Sequence, residues 1–148
     1  MKRALLLLLL CFPLGNLVAQ SCVGYWITID DHSGLKKSIV ELYKKDEQLY
    51  GKVVYIYKHG KDGPHSKCTE CSGKLYNQPI LGMLILRNMH WTGSEWTNGS
   101  ILDPDNGKTY DASLWLNPSN SNRLMVRGYI GPFFRTQEWI RTDKIPAD

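Results

Sequence analysis

From residue 23 onward, short apolar runs alternate with polar, turn-forming clusters. Residues 23–29 form the first apolar run, and Asp30-Asp31-His32-Ser33-Gly34 stops it. Residues 38–44 and 49–57 follow, joined by Lys45-Asp46-Glu47, and both are rich in Val, Ile and Tyr, which suit a pleated, half-buried surface. Leu35, Ile39 and Leu42 also fit helical spacing, but the β-branched run beyond them favours strand. Pro79 opens a nearly continuous apolar run over 80–86. Residues 95–102, 108–116, 123–130 and 136–141 complete about eight predicted strands. Asp103-Pro104-Asp105-Asn106-Gly107 is a turn between two of them, since Asn-Gly favours the positive φ of a hairpin.

One stretch breaks this rhythm. Residues 59–78 hold three glycines, Pro64, two histidines and two cysteines. A loop of that length in a small domain is usually functional or mobile.

Eight sequential strands with short connections predict an all-β fold, an antiparallel up-and-down barrel that leaves no sheet edge exposed. A two-sheet sandwich is the alternative. The Gly24-x-Trp26 start resembles the first-strand signature of lipocalin-like barrels. In such a barrel Trp26 plugs one end, and an arginine from the last strand covers its face. Arg141 is the expected partner and Arg127 the second choice. Gly24, Trp26 and Arg141 are thus structural candidates.

The N-terminus carries a different pattern. Lys2 and Arg3 precede an apolar core over 4–12, then helix-breaking Pro13 and Gly15, then Leu17-Val18-Ala19. This is the order of a secretory signal. The core is roughly half of the about 20 residues a membrane span needs. The expected organisation is a signal peptide over 1–20 and a single domain over 21–148, exported to the periplasm or the cell exterior. Lipidation at Cys22 is a weaker alternative, because Gln20 stands where a small residue is expected, and membrane association would follow only from it.

The chain's formal charge is +4, and loss of Lys2 and Arg3 with the signal lowers it by two units. Scattered lysine pairs and near-neutrality supply no argument for nucleic acid.

The ordered set of motifs is more specific than any one of them. Gly24-Tyr25-Trp26-Ile27-Thr28, Leu49-Tyr50-Gly51-Lys52-Val53 and Cys68-Thr69-Glu70-Cys71 are followed by Ile101-Leu102-Asp103-Pro104 and Asn106-Gly107-Lys108-Thr109-Tyr110. Val126-Arg127-Gly128-Tyr129-Ile130-Gly131 and Arg135-Thr136-Gln137-Glu138-Trp139-Ile140-Arg141 complete the set. Across the mature chain this resembles the Domain of Unknown Function 2147 family of small exported bacterial proteins. The resemblance implies an envelope protein with a lipocalin-like barrel and brings no catalytic residues. Phe133-Phe134 departs from the Leu-Gly pair expected before Arg135, which makes the last turn bulkier.

His59-x5-His65-x2-Cys68-x2-Cys71 is the sharpest chemical feature. Such ligands suit zinc or copper. In an oxidising compartment a Cys68–Cys71 disulfide is the simpler account. A redox site would need a thiol activated at a helix N-terminus, and the residues after Cys71 do not read as a helix. No cofactor and no metal are called for. The Asp103–Gly107 segment lacks the distal Glu of a calcium loop, and no nucleophile-elbow motif is present.

The leading expectation is a barrel that binds a small apolar or amphipathic, lipid-like ligand. Tyr50, Tyr55, Trp115 and Tyr129 are candidates for the pocket wall, and Arg127 could anchor an acidic group if it faces inward; on the outer face it would stack on a tryptophan instead. The rivals are a ligand-free structural or protein-interaction module with a filled core, and a metal-binding or redox protein centred on the His59–Cys71 loop.

Overall fold

The computed structural model describes residues 21–60 and 62–147. The expected signal segment, 1–20, lies outside the described residues. Eight antiparallel strands close into a barrel in sequence order. They are β1 (Gly24–Ile29), β2 (Lys36–Lys45), β3 (Gln48–Ile56), β4 (Leu84–Trp91), β5 (Trp96–Asp103), β6 (Lys108–Asn117), β7 (Asn120–Ile130) and β8 (Phe133–Thr142). The all-β, up-and-down expectation is correct, and the sandwich is excluded. β1 pairs with β8, with Trp26 opposite Arg141 and Ile27 opposite Ile140, so no strand keeps an open edge.

Strand parity decides which side chains face in. Trp26 stands opposite Val40, and Thr28 opposite Ser38. Leu42 stands opposite Gly51, and Val40 opposite Val53. On the far wall Leu114 faces Val126, and Leu116 faces Leu124. These positions form the inner surface. At the end of the barrel near Trp26 the interior is filled by Leu42, Leu49, Leu86, Met89, Leu114 and Leu124, all fully buried. Each such side chain contributes about 1.5–3 kcal/mol of burial.

β4 differs from expectation. The apolar run over 80–86 predicts one strand, but β4 begins only at Leu84 and continues through Arg87, Asn88 and His90 to Trp91. The Ile80 N–H donates to the Ser66 carbonyl at 2.9 Å, the Gly82 N–H to Val53 at 2.7 Å, and Met83 accepts from the Val53 N–H at 3.0 Å. Ile80 and Met83 therefore pack on the core from a loop. A short apolar run carries no periodicity that separates a buried strand from a buried loop. β3 and β4 pair only between Leu49–Lys52 and Leu84–Met89, and the long connection ties into β3 beyond that point.

Candidate ligand cavity

The loops joining β1 to β2, β3 to β4, β5 to β6 and β7 to β8 all lie at the end opposite Trp26. Below them is a cavity of about 550 Å³. That is within the about 300–1,000 Å³ usual for small-ligand sites. Its floor and walls are apolar: Val53, Ile56, Ile85, Leu102, Val126 and Trp139. Trp139 is 2% exposed, and its indole N–H donates to Gln137 Oε1 at 3.3 Å. Midway up, the Thr28 and Ser38 hydroxyls lie 2.8 Å apart and form a small polar step in the wall.

The mouth is charged. Asp30, Asp31, Asp62, Asp103 and Asp105 line it, with Lys37, Arg135 and His32. Lys37 pairs with Asp105. Arg135 pairs with Asp31 at 2.6 Å, and Gln137 Nε2 donates to the same carboxylate at 2.8 Å. Asp30 accepts from the Ser33 N–H at 2.7 Å, the Ser33 hydroxyl at 2.8 Å and the His32 N–H at 3.1 Å. These donors, led by the Ser33 backbone, hold its carboxyl below the ordinary carboxylate value. Asp103 accepts from the Asp105 N–H at 3.0 Å and from Asn106 Nδ2 at 3.1 Å. Ile130, Phe133 and Phe134 complete the mouth and are 53%, 75% and 61% exposed.

The family model described as "Uncharacterized protein conserved in bacteria (DUF2147)" matches residues 24–141. The chain belongs to the DUF2147 family. A solved structure described as "Protein HP1028 from the human pathogen Helicobacter pylori belongs to the lipocalin family" is similar in fold, with a TM-score of 0.69 at 20% identity over 83% of this chain and 84% of that one. No curated protein matches the chain. The DUF2147 barrel is thus lipocalin-like.

In this DUF2147 barrel the five pocket candidates stand elsewhere: none of Tyr50, Tyr55, Trp115, Arg127 and Tyr129 lines the cavity. Gly51, Leu114, Val126 and Gly128 take the inner face, and a period of two sends Tyr50, Trp115, Arg127 and Tyr129 outward. Tyr55 shares the parity of Gly51 and Val53 and is turned out by the bulge between β2 and β3, which moves Ile56 to the inner face. Tyr50 stacks on Tyr43 at 5.9 Å and donates to Gln48 Oε1 at 2.7 Å. Tyr55 meets Tyr57 edge-on at 5.1 Å. Trp115, Arg127 and Tyr129 do come together, on the outer wall. Arg127 lies 5.0 Å from the Trp115 ring centre and 4.4 Å from that of Phe134, its Nε donates to Thr136 Oγ1 at 2.7 Å, and Tyr129 packs on Phe134 at 6.3 Å. Arg127 is a tryptophan-stacking arginine here, placed away from any ligand in the cavity.

At the closed end Arg141 lies over the Trp26 ring, 4.2 Å from its centre. Gly24 holds a φ of +130°, which lets the chain enter β1 beside that guanidinium.

The residues that do line the cavity carry a signal in the sequence. Trp26 facing in forces Thr28 in, and Arg141 beside it forces Trp139 and Gln137 in by the same parity. Aromatic content points instead to four residues of the opposite parity and to Tyr55, which lies beyond a bulge.

The cysteine loop resolves into a Cys68–Cys71 disulfide. Cys68 is fully buried and Cys71 is 5% exposed. Their sulfurs are bonded to each other, and the histidines lie apart from them: His59 Nε2 is 2.8 Å from the Lys36 carbonyl and its ring stacks on Tyr57, while His65 is exposed. Among the described residues no group of three or more His, Cys, Asp or Glu is placed to hold a metal ion. A buried disulfide also offers no sulfur to an exchanging thiolate. The loop instead forms part of the cavity, to which it contributes Asp62, Ser66 and Ile80.

Proposed function

We propose that this protein is an exported binding barrel that takes one small amphipathic ligand, apolar end first, into the cavity at its open end. The observation that carries this reading is the cavity itself. A barrel whose interior was packed along its whole length would serve as an interaction module, whereas here the packed half ends at a void with apolar walls and a polar mouth. Export is supported by the basic, apolar, small-residue order of the first 20 residues. Burial of the Cys22 side chain, 6% exposed within the core cluster, supports a soluble form over a lipid-anchored one.

Titration with N-phenyl-1-naphthylamine, a neutral apolar dye that brightens out of water, tests the cavity. One saturable site is expected. Gly128 faces the cavity, and a Cβ there makes ordinary contacts apart from Tyr110 Cβ at 3.4 Å. Gly128→Leu therefore fills the cavity and weakens dye binding at least tenfold. Absence of saturable binding, or equal binding by the variant, would overturn the reading.

A further inference from the structure

We infer that the ligand's head group is cationic: the cavity takes an amphiphile that carries an ammonium or similar positive group at its polar end. This rests on the cavity being a ligand site. The void and its apolar walls make the site, and the groups at its mouth decide which head is tolerated.

Two independent features of the mouth point the same way. The first is charge. Five aspartates line the mouth against one lysine and one arginine, and each of those cations is bonded to an aspartate, Lys37 to Asp105 and Arg135 to Asp31. Asp30, Asp62 and Asp103 have no ion-pair partner among the described residues. Asp30 and Asp103 are moreover held in place by backbone and side-chain donors of their own turns, so their carboxylates are oriented before any ligand arrives. A carboxylate or phosphate head would be pushed against these fixed negative charges, and an ammonium would be drawn to them.

The second feature is aromatic. Phe133 and Phe134 stand at the mouth as the most exposed large apolar residues of β8, and Phe133 shares the strand parity of the inward Arg135, Gln137 and Trp139. Phe134 turns to the outer wall, where the Arg127 guanidinium covers its ring, and so Phe133 alone is left for a ligand. Phe133 is 75% exposed, so its ring is open to a ligand. An aromatic ring beside carboxylates is the combination that receives an alkylammonium group, through ring quadrupole and charge together.

The test compares ligands that share one tail. Dodecylammonium, laurate and dodecyl maltoside, each kept below its micelle concentration, compete with N-phenyl-1-naphthylamine for the wild-type protein at low salt. Dodecylammonium is expected to bind at least tenfold more tightly than laurate, with the maltoside between them. The preference should shrink in about 1 M salt, where the screening length falls to about 3 Å. Asp62→Asn and Phe133→Ala, both at exposed positions, should each lower dodecylammonium affinity severalfold more than they lower maltoside affinity. If all three bind alike, or laurate binds best, the head-group inference is wrong while the cavity reading stands. If none displaces the dye and the dye itself does not bind, the cavity reading fails first.

Discussion

Arg141 covers the buried face of Trp26 and ties down the chain that leads into it. Its guanidinium sits 4.2 Å from the ring centre, and its Nη2 donates to the Ser21 carbonyl at 2.8 Å, with weaker bonds to Val23 and Ser121. Trp26 in turn donates its indole N–H to the Cys22 carbonyl at 2.8 Å. The two residues are cross-strand partners on β1 and β8, so they also seal the barrel.

Replacing Arg141 should therefore loosen closure as well as remove a stacking contact. Arg141→Ala is expected to lower stability by about 2–3 kcal/mol, and Arg141→Lys by about half as much, because a lysine keeps the charge but loses the planar fork. Urea unfolding followed by Trp fluorescence measures both. Equal stability of the alanine variant would show that the pair is not part of the closure.

The disulfide loop rests on the β5–β6 turn at Gly107. A Cβ there would lie 1.9 Å from the Glu70 carbonyl oxygen, and the residue has a φ of +68°. Gly107→Ala should cost about 2–4 kcal/mol through backbone strain and displacement of the loop. Gly131→Ala is the control: its φ is +53° but its Cβ would meet open space, so only about 1–2 kcal/mol is expected. Thermal melts of the two variants should separate accordingly, and similar melting temperatures would argue against the tight contact.

Reducing the disulfide should act on stability and leave binding alone. The ring it closes is small, with a sequence separation of 3, and the chain-entropy estimate for so short a loop is about 2 kcal/mol. The Cys68→Ser, Cys71→Ser double variant is expected to melt earlier and to bind N-phenyl-1-naphthylamine as before. Lost binding at a temperature where the variant is folded would show that the pair shapes the cavity directly.

Cys22 predicts a pH effect. Burial pushes its thiol up from the ordinary 9.0 to about 11, against the opposing pull of Arg141 and Lys44. Below pH 9 the thiol is neutral in both states and makes no difference. Between about 9 and about 11 the unfolded chain releases the proton and the folded chain keeps it, so stability falls as pH rises, by about 2–3 kcal/mol in all. Cys22→Ser should remove that part of the slope. The native thiol should also resist iodoacetamide at pH 8 and react fully in denaturant, and rapid native labelling would contradict its burial.

Much of the architecture was legible in the chain. Turn clusters such as Asp30–Gly34 and Asp103–Gly107 bracket β1 and divide β5 from β6, because their residue types favour turn geometry locally. The Trp26–Arg141 contact followed from a first-strand tryptophan needing a cover at the closed end. The start of β4 did not follow, since residues 80–83 are apolar for a reason lying outside themselves, namely the gap beside β3 that they fill. The facing of the pocket candidates likewise depends on partners far along the chain. Trp115 and Tyr129 looked like wall residues by chemistry, whereas parity set by Val126 and Gly128 turned them outward.

Alternation and turn chemistry act over a few residues, so the sequence by itself determined the number of strands, their order and an up-and-down course. The cavity in one half of the barrel, the aspartates gathered at its mouth and the loop laid against Gly107 depend on residues brought together from distant parts of the chain. Register and closure decide those meetings, because a shift of one residue exchanges the inner face for the outer. Only the tertiary structure could show that aliphatic side chains, Tyr110 and Trp139 wall the cavity while Tyr50, Tyr55, Trp115 and Tyr129 stack elsewhere.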